Sequence, residues 1–177
     1  MRAVGSSLGW RVLVTGASGG VGRFAVQLAH LGEAEVMAVV GSEAWGAGLA
    51  ALGADSVVVG IDAVGGKVDV AIENVGGPTL VGAFALLKAG GTLYSIGGAS
   101  LEPAVFPPYA TVGQERQLIS FTLGGAMGDD LAYLVGLLAA GTLRAQVDWR
   151  GGWGRATEAI DLLVGHTIAG KAVLLVE

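Results

Sequence analysis

The sequence predicts an α/β fold of the doubly wound kind, with a mostly parallel six-stranded sheet and a C-terminal extension of helices and one strand. Short Val-rich runs recur along the first two thirds of the chain. Helical patterns alternate with them, as βαβ units require. A glycine-rich turn, TGASGGVG, joins the first of these runs to the first helical pattern.

The strands are expected at 12–15, 35–40, 56–59, 68–73, 91–96 and 118–122. They are apolar on both faces, which suits parallel strands covered above and below. Helices are expected at 20–31, 44–52 and 78–88. Between the third and fourth strands lies only GIDAVGGK, eight residues and too short for a full helix. Extended, such a segment reaches roughly 26 Å. That is enough to step back past two strands spaced about 4.8 Å apart. After Thr122, GDDLAYLVGLLAAG and GWGRATEAIDLLVGH read as amphipathic helices and GKAVLLVE as a last strand. Asp129 and Asp130 favour a helix start through its dipole. The chain thus divides into a core, 1–123, and an extension, 124–177.

Composition narrows the function classes. The chain has 177 residues and a net charge of −5, which disfavours nucleic acid as a partner. It has no cysteine and only two histidines, His30 and His166, distant from each other, so no zinc site is expected. Hydrophobic residues make up 53% and charged residues 14%, against roughly 25% charged in an ordinary domain. Part of the surface is therefore expected to meet a partner. The longest apolar run, LAYLVGLLAAG, falls short of the roughly 18 residues of a membrane span. A cytoplasmic protein is expected.

The glycine turn carries the chemistry. Gly16 permits a sharp turn at the strand end, and later glycines let a pyrophosphate approach and the helix pack closely. Gly19, Gly20, Val21 and Gly22 then offer backbone N–H groups at a positive helix end. The spacing fits two patterns. Gly16, Gly19 and Gly22 make G-x-x-G-x-x-G; Thr15, Gly16, Gly20 and Gly22 make T-G-x-x-x-G-x-G. The second pattern belongs with a Tyr-x-x-x-Lys pair. Tyr94, Tyr109 and Tyr133 are followed four residues on by Gly98, Gly113 and Leu137, so that pair is missing.

The first pattern is joined in order by LGAD at 52–55, DVAIENVGG, LLKAGGTLYSIG, LISFTLG and the terminal GKAVLLVE. Together these resemble the Rossmann cofactor domain of the medium-chain dehydrogenase/reductase family, in its zinc-independent quinone oxidoreductase-like branch. The resemblance implies hydride transfer from NADPH, with NADH possible, to a quinone or activated alkene. It also implies an N-terminal GroES-like substrate domain. Only MRAVGSSLGW precedes the first strand, so a fragment that binds cofactor without efficient turnover is expected. A non-catalytic dinucleotide sensor and the enoyl-reductase portion of a polyketide or fatty-acid synthase are the competing readings.

Ligands in such sheets lie outside the carboxyl ends of the strands. Asn74, Val75 and Gly76, with Ile96 and Gly97, are therefore expected to border the nicotinamide. After the second strand, Val40, Gly41 and Ser42 stand where an NAD-selective acid would, so Ser42 is assigned to the 2′-phosphate. Trp45 takes the place of the lysine usual in NADPH-dependent relatives. The resemblance adds the backbone of Phe121, Thr122 and Leu123 at the carboxamide, and Lys171 at the pyrophosphate. Glu43 and His30 read as surface residues, and Trp149 and Trp153 as packing a loop. FPPY, 106–109, sits in a long loop suited to a lid or a subunit contact. A homodimer through the sixth strand is expected, because that strand otherwise leaves an apolar edge bare.

Overall fold

The computed structural model describes residues 7–122, 124, 127–165 and 167–176. The main sheet holds β1 (Arg11–Thr15), β2 (Glu35–Val40), β3 (Ser56–Val59), β4 (Val68–Glu73), β5 (Leu87–Ser95) and β6 (Gln117–Ser120). Their order is β3-β2-β1-β4-β5-β6. Every neighbouring pair in it is parallel, so the sheet is wholly rather than mostly parallel.

Alternation along β1 explains the layering. Val12 and Val14 face one side and pack with Ala25, Val26 and Ala29 of α1 (Gly22–Leu31). Leu13 faces the other side and joins Leu80, Ala83 and Phe84 of α2 (Gly77–Ala85). All three β1 residues are fully buried. Burying a side chain of this size stabilises the fold by about 1.5–3 kcal/mol.

Three expected elements change at their ends. The first helix begins at Gly22, because Gly16–Val21 is spent on the turn. The helix expected at 44–52 is two short 3₁₀ turns, Glu43–Gly46 and Ala50–Leu52. Gly48 lies between them at φ +79°, a conformation that ends helical propagation. Leu49 and Leu52 are buried all the same. The helix expected to reach Lys88 stops at Ala85, and Leu87 pairs with Val68 as the start of β5. Pairing with β4 outweighs the helical propensity of LLK here. The crossover before β4 contains only a 3₁₀ turn, Ile61–Ala63, consistent with its length.

The extension contains α3 (Gly128–Ala139), β7 (Val147–Gly152), α4 (Ala156–Val164) and β8 (Lys171–Leu175). β7 and β8 form a separate parallel pair. β7 was not expected. Its residues VDWRGG lack an apolar run, and a distant partner makes them a strand. Trp149, expected in a loop, pairs with Ala172 and lies under the Arg155 guanidinium at 5.1 Å. This unit is tied to α1. The Gln27 amide donates to the Arg144 carbonyl at 3.1 Å and accepts its N–H at 2.8 Å. Arg23 Nη1 donates to Gln146 Oε1 at 3.3 Å.

Candidate functional site

The chain leaves β1 towards β2 on one side and leaves β4 towards β5 on the other. A crevice forms where strand order reverses, at the carboxyl ends of β1 and β4. Two adjoining cavities of about 580 Å³ and 450 Å³ occupy it. The larger is lined by the 16–22 turn, by Asn74 and Val75, and by 96–99. The smaller is lined by Gly41, Ser42 and Trp45, with Ser100, Ile168 and Ala169 opposite. Ser18, Gly19, Val75 and Ala99 line both, so the two form one continuous cleft.

The turn works by close approach. Gly16 has φ +57°, which an L side chain rarely adopts. A Cβ on Gly22 would fall on the Gly16 carbonyl oxygen and lie 2.6 Å from Ala17 Cα. Gly22 therefore lets α1 seat on the turn. A Cβ on Gly20 would lie 3.0 Å from Lys171 Nζ, which places that ammonium group at the helix start. Lys171 Nζ also sits 5.3 Å over the Phe24 ring.

The N–H of Gly19 donates to the Gly16 carbonyl at 3.0 Å. Gly19 thus shapes the turn with its amide and faces the cleft only through its surface. Among the described residues, no backbone or side-chain acceptor takes the N–H groups of Gly20, Val21 and Gly22. These three amides stand open at the positive end of α1.

The cleft collects most of the residues assigned from sequence. Gly16, Gly19, Gly20, Val21, Gly22, Asn74, Val75, Ile96 and Gly97 line the larger cavity, and Ser42 the smaller. Gly76 lies behind the wall, its N–H turned to the Glu73 carboxylate at 2.9 Å. Phe121 sits past the end of β6, with its N–H on the Ser95 carbonyl at 3.0 Å. Lys171 flanks Gly20, and Leu123 lies outside the described residues. His30 is exposed, and its ring packs on Gly53.

Sequence reasoning missed Ser18, Ala99, Ser100, Ile168 and Ala169. The last two come from a segment nearly 150 residues beyond the turn, and no local pattern marks them. It also missed Thr15 and Glu73, both buried below the cleft. A glutamate ending the apolar run VDVAIE was a signal, since an acid is seldom fully buried without a partner.

Titration shifts lie away from the cleft. At the opposite end of β4, burial pushes the Asp69 carboxyl up. Hydrogen bonds from Lys88 and the Arg11 N–H, with both positive charges, more than reverse this and hold it below its usual range. The hydrogen bond between Arg155 and Glu158 raises the guanidinium and lowers the carboxyl.

Strand order, the glycine turn at the reversal and the open cleft above it define a Rossmann-type α/β domain. The profile of the family described as zinc-binding dehydrogenase matches residues 20–140, and the chain belongs to that family. It is 29% identical over 172 residues to the chloroplastic quinone-oxidoreductase QR1 of Triphysaria versicolor. That alignment covers 92% of this chain and 51% of the relative, so the chain spans about half the relative's length. Among solved structures it superposes on AibC with a TM-score of 0.88 at 30% identity, covering 99% of this chain and 51% of that one. An NAD-dependent alcohol dehydrogenase gives 0.89 at 26%, covering 99% and 54%.

The family's description raises the question of zinc. The chain has no cysteine, and no three His, Asp or Glu among the described residues converge. This donor set does not fit a zinc site. Among the described residues, no helix is long and apolar enough to cross a membrane.

Proposed function

We propose that this chain is the dinucleotide-binding half of an NAD(P)H-dependent oxidoreductase that reduces a quinone or another activated alkene. One observation carries the reading. The open amides of Gly20, Val21 and Gly22 and the Lys171 ammonium meet at a glycine surface with no side chain in the way. Oriented N–H groups, a helix end and a cation together suit a diphosphate.

In this reading the adenosine end occupies the smaller cavity. Ser42 follows the end of β2 there and receives the 2′-phosphate, which favours NADPH while admitting NADH. Asn74, Val75, Ile96 and Gly97 border the nicotinamide. When bound, the cofactor supplies the hydride. The residues of this chain orient it and keep water from the reacting face. The acceptor class follows the names of relatives, the quinone-oxidoreductase QR1 foremost. In the whole protein, 1–123 forms the cofactor core, and 124–177 packs on the substrate domain. The protein acts on a small molecule in the cytoplasm.

Titration of the chain with NADPH and NADH tests the reading. Saturable binding of either is expected, with NADPH the tighter, and turnover is expected to be slow. Absence of binding by both sinks it. Assay of the full-length protein with quinones, enones and enoyl thioesters then assigns the acceptor. Tight binding with no turnover on any of them indicates a sensor.

A further inference from the structure

Glu73 is the least accessible charged side chain described, at 0% exposure, and the reading above gives it no role. It ends β4 beside Thr15, also at 0%, which ends β1. The two strands run in register through Val14 and Ile72, so these residues meet where strand order reverses.

Everything that faces this carboxylate donates. Thr15 Oγ1 donates to Glu73 Oε1 at 3.0 Å and accepts the Asn74 N–H at 3.0 Å. The Val75 N–H donates to Oε1 at 2.8 Å. The Gly76 N–H is shared between Oε1 at 2.9 Å and Oε2 at 3.1 Å. The backbone of the same residue reaches the next loop, for the Glu73 carbonyl accepts the Ile96 N–H at 2.8 Å. The Thr15 carbonyl in turn receives Asn74 Nδ2 at 2.9 Å. Glu73 and Thr15 thus tie together three of the segments that wall the cleft: 16–22, 74–77 and 96–100.

Taking a carboxylate out of water costs several kcal/mol even after the protein relaxes. A site that only needed filling would be served by an apolar residue. Here the carboxylate selects one loop conformation instead. Gly76 and Gly77 hold φ +80° and +55° in it, and Val75 is pressed to within 3.2 Å of a Cβ position on Gly16. Val75 is one of the four residues that line both cavities. We propose that Glu73, acting with Thr15, is a positioning residue that sets the Val75 wall and thereby the affinity of the cleft for a dinucleotide. The proposal rests on the dinucleotide reading above.

Glu73→Gln keeps the shape and an acceptor at the Oε1 position but sets an NH₂ against the Gly76 N–H that Oε2 shares. Thr15→Val removes the hydroxyl, and Thr15→Ser restores it. The test compares NADPH affinity by calorimetry, thermal midpoint, and hydrogen exchange at the 74–77 amides across the four proteins. Expected are at least tenfold weaker NADPH binding and faster 74–77 exchange in Glu73→Gln and Thr15→Val. Their midpoints should stay within a few degrees of wild type, and Thr15→Ser should bind like wild type. Unchanged affinity in both variants overturns the positioning role and leaves the dinucleotide reading standing. A fall in midpoint that tracks the loss of affinity, with Thr15→Ser affected too, reduces Glu73 to a structural residue and also overturns it. Failure of the wild type itself to bind removes the dinucleotide reading and this inference together.

Discussion

Gly22 shows how a single missing Cβ decides the site. The helix start and the turn approach so closely that an alanine there meets backbone, which has no rotamer to yield. Gly22→Ala is therefore expected to destabilise the chain by about 1–3 kcal/mol through overpacking. It should also weaken NADPH binding at least tenfold, by lifting the open amides off their line. Thermal unfolding beside a cofactor titration checks both. A variant with wild-type affinity would show that the amides of 20–22 do not hold the ligand. Gly41, which lines the cleft but would meet nothing within 4 Å of an added Cβ, serves as the tolerant control for stability.

Individual elements owe their ends to partners across the sheet. β5 begins where Leu87 meets Val68, and Gly90 and Gly91 absorb the register shift before Thr92 meets Val70. Lys88 of β5 grips Asp69 of β4 at 2.8 Å, and Asp69 also takes the Arg11 N–H at 2.8 Å. Three strands are thus pinned at the end remote from the cleft. Because the folded state holds Asp69 below its ordinary value, the pair stabilises above the unfolded carboxyl's range. That stability is lost as pH falls through the folded value. Lys88 is about half exposed, so screening limits the contribution to about 0.5–1 kcal/mol. Lys88→Met should lower the urea midpoint at pH 7, and the gap from wild type should close below about pH 4. A gap that is constant from pH 7 to pH 3 would rule out the ion pair as its source.

At the scale of the whole molecule, β6 forms an open edge of the main sheet. β6 ends the sheet, all four of its residues are exposed, and Leu118, Ile119 and Phe121 lie on or beside it. A bare edge of this kind invites another strand. We expect a homodimer formed by β6 against β6 of a second copy. Sedimentation at tens of micromolar protein should give twice the monomer mass. A monomer at that concentration, or a dimer that survives Ile119→Lys, would place the contact elsewhere.

Within the chain, local pattern was enough for the strands. Val-rich runs favour extended backbone, so β1 to β4 stand where they were expected, although Val57 and Val59 of the edge strand β3 stay exposed. The glycine turn was equally legible, since positive φ and backbone-to-backbone contact admit few other residues. β7 was not legible, because β8 lies some twenty residues away and VDWRGG has no pattern of its own. The 44–52 segment misled for a related reason. Its helical composition is overruled by Gly46, which sits against Val57 of β3, and by Gly48 at φ +79°.

What the sequence determined alone was the strands of the main sheet and the glycine turn, because both depend on neighbours a few residues apart. Only the tertiary structure decided which distant residues complete the cleft. Ile168 and Ala169 reach it from the far end of the chain, and Glu73 supports it from beneath. Those contacts arise from parallel pairing and crossover, which bring together residues that no spacing in the sequence connects.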